Sequence, residues 1–250
     1  MLLTNGTNRI VLQPRDRLLL EKLGLLRLLD RRQIEQLAGF HSVSRANVRL
    51  AKLRRAGLIT RYFSATATGS RLSVYALTKQ GSAMICVPDV SLKWRPDSIL
   101  LGNSFAAHQL ALSDIYIGAA TGQDIRWRTF SVPLVPSLPL IPDAQIESSA
   151  QAFFLEMDLG TEPLPVWSRK VTLYLKLAVS GAFREHIAHP KFAVLVVTET
   201  NDRLEQLRRH ITKQTQKLFW FQTLSIIQRQ GFWAASWLRS TGKTLSPPGA

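Results

Sequence analysis

The sequence predicts an α+β protein in two parts: a basic cluster of short helices closed by a hairpin, then an α/β sandwich. Three observations predict it. Helical apolar periods give way to two β-rich runs within the first 86 residues. Further on, AFFLEMD (152–158) and FAVLVVT (192–198) are the near-continuous apolar runs that strands covered on both faces require. The charge is also uneven: residues 1–86 hold 15 Lys/Arg and 4 Asp/Glu, a net of +11, whereas 87–250 hold 17 and 13, a net of +4. With 250 residues, 46% of them hydrophobic, the chain can bury a substantial core, which excludes a wholly disordered protein. A formal charge of +15 points to a polyanionic partner, nucleic acid ahead of an anionic membrane surface.

In the first part, Pro14 can open a helix on which Leu18, Leu19, Leu23, Leu26 and Leu29 recur at helical spacing. Asp30 caps a second helix over 31–38, with Ile34 and Leu37 inward, and Gly39 ends it. Ser42 or Ser44 caps a third helix through Arg55, with Val48, Ala51 and Leu53 as its apolar face. LITRYFS, TATGS and RLSVYALT then read as strand, turn and strand, and LTKQGSAMI as a closing helix. Three helices, a hairpin and a helix are the order of a winged helix-turn-helix, with the third helix as its recognition element.

That helix carries Arg45, Asn47, Arg49, Lys52, Arg54 and Arg55, and Arg61 and Arg71 flank the hairpin turn. A basic helix face is often no more than a solvated surface. Here the cations fall on the one helix that the element order nominates, so all eight residues are candidate DNA contacts. Arg45, Asn47 and Arg49, near the helix start, are placed for base edges, and Arg54 and Arg55 for phosphates. We place this domain at 1–88, a proline-bearing linker at 89–104, a second domain at 105–240 and a loose tail at 241–250.

In the second part a helix from Phe105 leads to a strand around 125–130, a proline-rich loop, and strands over 141–147 and 152–158. A helix follows over 167–179, a strand over 192–198, a helix capped by Asp202 and a last strand over 217–223. Alternation puts Glu156 and Asp158 on one face of their strand. Asp143, ending a neighbouring strand, adds a third carboxylate, and Lys170 lies one helical turn before Tyr174.

Pro142-Asp143, Glu156-x-Asp158 and Lys170-xxx-Tyr174 resemble the PD-(D/E)xK nuclease superfamily. The resemblance implies catalysis by Asp143, Glu156 and Lys170, with Mg²⁺ or Mn²⁺ held by Asp143, Glu156 and Asp158. The chain departs from the pattern at Asp158, where a lysine is expected, so that Lys170 would have to substitute. Taken whole, the order QPRDRLLLEKLGLL, LTKQG, AAHQLALSDIYIG, PDA, FFLEMDLGTE, KVTLYL, VLVVTETNDRLEQLRRH and FWFQTL resembles the replication-relaxation family of plasmids and other mobile elements. That resemblance implies a DNA-binding accessory protein with a nuclease-like domain. Double-stranded DNA is the expected partner, with replication or conjugation proteins and a second copy of the chain as further candidates. Three readings stay open: a DNA-binding factor whose second domain is a scaffold, a Mg²⁺-dependent DNA endonuclease, and an adaptor whose basic face meets a membrane or RNA.

Other signals are bland or exclusive. The single cysteine, Cys86, reads as a small buried hydrophobe and suits a reducing, cytoplasmic setting. No signal-peptide core and no apolar span of membrane length is expected. The absence of GxGxxG and GxxxxGK[ST] argues against a nucleotide motor. Gly160-Thr161-Glu162 is a strand-to-helix turn or a further metal carboxylate. His108 reads as a packing residue, and His186 and His189 lack a matching pair for zinc. Phe219, Trp220, Phe221, Phe232, Trp233 and Trp237 are read as core or oligomer packing before base stacking.

Overall fold

The computed structural model describes residues 10–65, 71–85 and 103–245. The chain is mixed α+β with two sheets, one of three strands and one of seven. It divides into two compact units between Ser113 and Asp114. Cys86, the TATGS turn and residues 89–102 of the expected linker lie outside the described residues, while Asn103 and Ser104 already belong to a helix. No helix among the described residues is long and apolar enough to cross a membrane.

The first unit starts with α1 (Pro14–Leu26), β1 (Leu29–Asp30), α2 (Arg31–Ala38) and α3 (Val43–Arg55). After these come the antiparallel hairpin β2 (Ile59–Ala65) and β3 (Arg71–Leu77), then α4 (Lys79–Ser82). Pro14 occupies the first turn of α1, where its missing N–H costs nothing. Leu19, Leu20, Leu23 and Leu26 form the buried stripe, but Leu18, expected inward, is 37% exposed. The same correction applies to α3. Ala46, Leu50 and Leu53 are buried and Val48 faces out, because residues two apart on a helix lie about 200° round from one another.

Asp30 caps α2 as expected: its Oδ1 accepts from the Gln33 amide at 2.7 Å, while Gln33 Oε1 accepts from the Asp30 amide at 3.1 Å. Strand β1 has no counterpart in the sequence reading. Two residues are too few to show a period, yet they pair with Tyr75 and Val74 and widen the hairpin to a sheet in the order β1-β3-β2. The LTKQG segment has a physical reason too. Thr78 Oγ1 accepts from the Gly81 amide at 2.9 Å, and a Cβ on Gly81 would stand 1.9 Å from the Leu58 carbonyl oxygen, so only glycine lets α4 close on the hairpin.

The unit boundary falls inside α5 (Asn103–Ala120). Within the first unit, Ala106 packs with Leu28, Val74 and Ala76, and Ser113 Oγ donates to the Leu28 carbonyl at 3.0 Å. The first unit therefore uses residues well past 88 to cover its sheet.

The second unit is built on strands β4 (Arg126–Arg128), β5 (Ala144–Glu147), β6 (Ala152–Asp158), β7 (Phe192–Thr198) and β8 (Phe219–Thr223). Strands β9 (Trp237–Arg239) and β10 (Thr244–Leu245) follow, and the sheet order is β10-β9-β8-β7-β6-β5-β4. Strands β6, β7 and β8 run parallel; the flanking pairs are antiparallel. Helices α6 (Leu164–Ser180) and α7 (Asn201–Thr212) supply the crossovers, and α8 (Leu224–Gln230) follows β8. Phe154, Val194, Val196, Phe219 and Phe221 meet Trp167, Val171, Tyr174, Leu204 and Leu207 in one core. Phe153, displaced by one residue, points to the opposite face, where its ring meets Trp220, Phe232 and Trp233.

Two further differences appear here. Thr200, not Asp202, caps α7, its Oγ1 accepting from the Arg203 amide at 3.2 Å. Thr244 and Leu245, expected in the tail, pair with Leu238 and Trp237 as an edge strand.

Candidate functional site

In the first unit, α3 and the hairpin enclose a groove of about 510 Å³. Arg31, Arg32, Asn47, Arg54, Arg61 and Arg71 line it, and Asp30 is the sole acid among the described lining residues. The Asp30 carboxylate is occupied at the start of α2 by the Gln33 amide. Arg54 and Arg71 are exposed, and the exposed Arg61 holds its guanidinium over the Phe63 ring, 4.9 Å from the centroid.

Of the eight residues expected to contact DNA, the six on α3 are sorted by helix face, not by position along the helix. Asn47 and Arg54 face the groove, as do Arg61 and Arg71. Lys52 and Arg55, with Arg49, line a second hollow of about 410 Å³ beside Val11 and Gln13. Arg45 is exposed and lines neither hollow. Arg49 needs the strongest correction. Its Nε donates to Asp16 Oδ1 at 2.8 Å, its Nη2 donates to Asp16 Oδ2, and Nη2 also reaches the Val11 carbonyl at 2.8 Å. Asp16 is fully buried and takes a further bond from the Gln13 amide at 2.6 Å. The Asp16 hydrogen bonds and charge, opposed by partial burial, raise the Arg49 pKa. Arg49 therefore ties α3 to α1 and is not held out for a base edge.

In the second unit the FLEMDLGTE and KxxxY segments close into one hydrogen-bonded cluster. Glu156 is 1% exposed. Its Oε1 accepts from Tyr174 OH at 2.5 Å, and its Oε2 accepts from Lys170 Nζ at 2.9 Å. Lys170 also donates to Glu162 Oε1 at 2.9 Å and lies 2.7 Å from its Oε2. Burial pushes the Glu156 carboxyl up to about 7, with the Asp143 charge adding to it and Lys170 and Tyr174 opposing. Lys170 is raised: burial would lower it, but Glu156 and Glu162 together outweigh that cost. Burial, then the Glu156 charge, raises the Tyr174 hydroxyl.

Asp158, on the same strand face, has a separate set of partners. Its Oδ1 accepts from the Gly160 amide at 2.5 Å, where a left-handed φ of +83° turns the chain, and from Arg203 Nε at 3.2 Å. Its Oδ2 accepts from Trp167 Nε1 at 2.6 Å and Arg203 Nη2 at 2.8 Å. Asp143 is half-buried, with Oδ2 accepting from the Met157 amide at 2.8 Å.

The expected carboxylate cluster of Asp143, Glu156 and Asp158 is thus split. Both oxygens of Glu156 and both of Asp158 are already met by protein donors, and no group of three metal-ligating side chains fit to hold an ion occurs among the described residues. These residues do not fit a divalent cation as they stand; Lys170 and Arg203 supply the positive charge. The sequence reading brought Lys170 to Glu156 correctly and missed Trp167 and Arg203. The indole was visible as a donor one turn before Lys170, but Arg203 lies 45 residues from Asp158 and no local spacing links them.

Fold and site define a two-unit α+β protein with an arginine-lined groove in one unit and a sealed carboxylate cluster in the other. The chain belongs to the replication-relaxation family, matching it over residues 20–191, a span that includes Glu156, Glu162, Lys170 and Tyr174. Among solved structures it is similar to the crystal structure of Bacillus subtilis PadR in complex with operator DNA. The identity is 22%, over 43% of this chain and 68% of that one, and the TM-score of 0.23 is too low to define a shared fold. No curated protein matches the chain.

Proposed function

We propose that this protein is a DNA-binding accessory factor of a plasmid or other mobile element, acting in the cytoplasm in replication, copy control or DNA processing. The observation that carries the reading is the arginine groove between α3 and the hairpin. In this reading the first unit is a winged helix-turn-helix. Helix α3 enters the major groove of duplex DNA, Asn47 meets a base edge, and Arg54, Arg61 and Arg71 grip phosphate, to which guanidinium groups can fork bidentately. The second unit is a PD-(D/E)xK-like scaffold whose carboxylates serve the fold. The test is binding of the full chain to plasmid-derived duplexes across a salt series, where log affinity should fall by about 0.9 per phosphate contact per log unit of salt. Absence of salt-sensitive duplex binding by the folded chain overturns the reading.

The second reading, a Mg²⁺-dependent endonuclease, is favoured by one observation: Lys170 stands 2.9 Å from Glu156, with the Asp143 charge close enough to act on it. Incubation of supercoiled DNA with the protein and Mg²⁺ or Mn²⁺ separates the two. Cleavage by the wild type that is lost in Glu156→Ala and Asp143→Ala supports the enzyme, and intact DNA throughout supports the scaffold.

A further inference from the structure

The second unit has a cationic groove that neither reading uses. It lies at the end of the sheet where the parallel strands begin, beside Phe192, which opens β7, and Leu218, which precedes β8. Glu156 and Asp158 sit near the other end of β6. The groove encloses about 810 Å³, and its described lining contains Lys191, Lys217, Arg239 and Lys243 with no carboxylate. The three lysines are exposed, and among the described residues none has an acidic partner. Arg239 lies 5.9 Å over the Trp220 ring, which holds its guanidinium in place. The rest of the described lining is largely apolar and includes Ala178, Pro190, Leu218 and the edges of the nearly buried Phe192 and Trp220.

We infer that this groove binds a short stretch of single-stranded nucleic acid. Four cations drawn from separate segments, unneutralised around one hollow, favour a partner with repeated negative charge. The apolar lining then selects among polyanions. A duplex buries its base faces and offers such a lining little beyond sugar and phosphate. A single strand can lay bases against apolar surface while its phosphates follow the cations. The groove is separate from the arginine groove of the first unit, so the inference does not rest on duplex binding.

The experiment measures binding of the full chain to fluorescent oligothymidylate and oligouridylate of about ten nucleotides, a length within single-strand site sizes. The wild type is compared with the triple variants Lys191→Glu/Lys217→Glu/Lys243→Glu and Lys191→Gln/Lys217→Gln/Lys243→Gln, the milder set guarding against misfolding, and with Arg54→Ala/Arg71→Ala. We expect the lysine variants to bind at least one oligomer roughly tenfold or more weakly, with a log–log salt slope shallower by about 0.7 for each lost contact. Arg54→Ala/Arg71→Ala should leave that binding in place. The oligomer bound more tightly identifies the strand as DNA or RNA. Wild-type protein that binds neither oligomer overturns the inference. So does single-strand binding that survives in a folded lysine variant or is lost with Arg54 and Arg71. Duplex binding, measured in parallel, reports on the first unit alone.

Discussion

Helix α3 in the first unit and the β6–α6 segment in the second are both rich in charge, and they use it in opposite ways. Around α3, Arg54, Arg61 and Arg71 face a groove in which Asp30, the one acid among the described lining residues, is engaged in capping α2. Around β6 each cation is matched: Arg203 to Asp158, and Lys170 to Glu156 and Glu162. A buried carboxylate costs several kcal/mol unless it is paired and hydrogen-bonded, so the second arrangement holds the fold together. Exposed, unopposed guanidinium groups add little to the fold. Arg49 shows that the rule follows environment and not location, since it sits on α3 yet is spent on buried Asp16.

The largest expected effect comes from breaking the matched side. Arg203→Ala leaves Asp158 buried with an uncompensated charge and should cost about 3–5 kcal/mol in urea unfolding, with unchanged duplex affinity in whatever fraction remains folded. A loss under about 1 kcal/mol, the order of an exposed pair, would show that Asp158 is not an internal anchor. On the unmatched side, Arg54→Ala/Arg71→Ala should weaken duplex binding roughly a hundredfold at low salt, about 2.8 kcal/mol, while the thermal midpoint stays put. A fall in stability with unchanged affinity would reverse the comparison.

Two smaller effects sharpen it. Arg49→Ala should destabilise the first unit by about 1–3 kcal/mol, because among the described residues Asp16 is left with the Gln13 amide, whereas Arg45→Ala should leave stability unchanged. Equal unfolding curves for the two variants would remove the distinction drawn within α3. Glu156 supplies a pH test. Its folded pKa of about 7 lies above its ordinary 4.5, so the folded state holds the proton more tightly. The stabilisation is fully present below the ordinary value and is lost as pH rises through about 7. From about pH 5 to about pH 8 the wild type should lose about 2–3 kcal/mol relative to Glu156→Gln, read from urea midpoints. Parallel pH profiles would show that Glu156 does not titrate in this window.

Strands β6 and β7 were legible to the residue, because a short apolar run between polar breaks admits little else once its length is counted. The capped α2 was equally plain, since Asp30 and Gly39 are local signals, each acting within one turn of its helix end. The inward faces of α1 and α3 were misread in part because leucine and valine stand on more than one side, and only packing chooses among them. Strands β1, β9 and β10 were missed for a different reason: two or three residues carry no period, and they become strands through the neighbour they pair with.

At the level of chemistry, the sequence by itself determined which groups share a strand face or a helix turn. Glu156 with Asp158 and Lys170 with Tyr174 follow from backbone periods of two and about 3.6. It also determined that the excess positive charge lies in the first third of the chain. Only the tertiary structure decided which charges are spent. Arg203 crosses 45 residues to reach Asp158, Arg49 crosses 33 to reach Asp16, and Glu162 folds back to share Lys170 with Glu156. Those pairings depend on which surfaces lose their water, and desolvation is a property of the packed chain that no local spacing encodes.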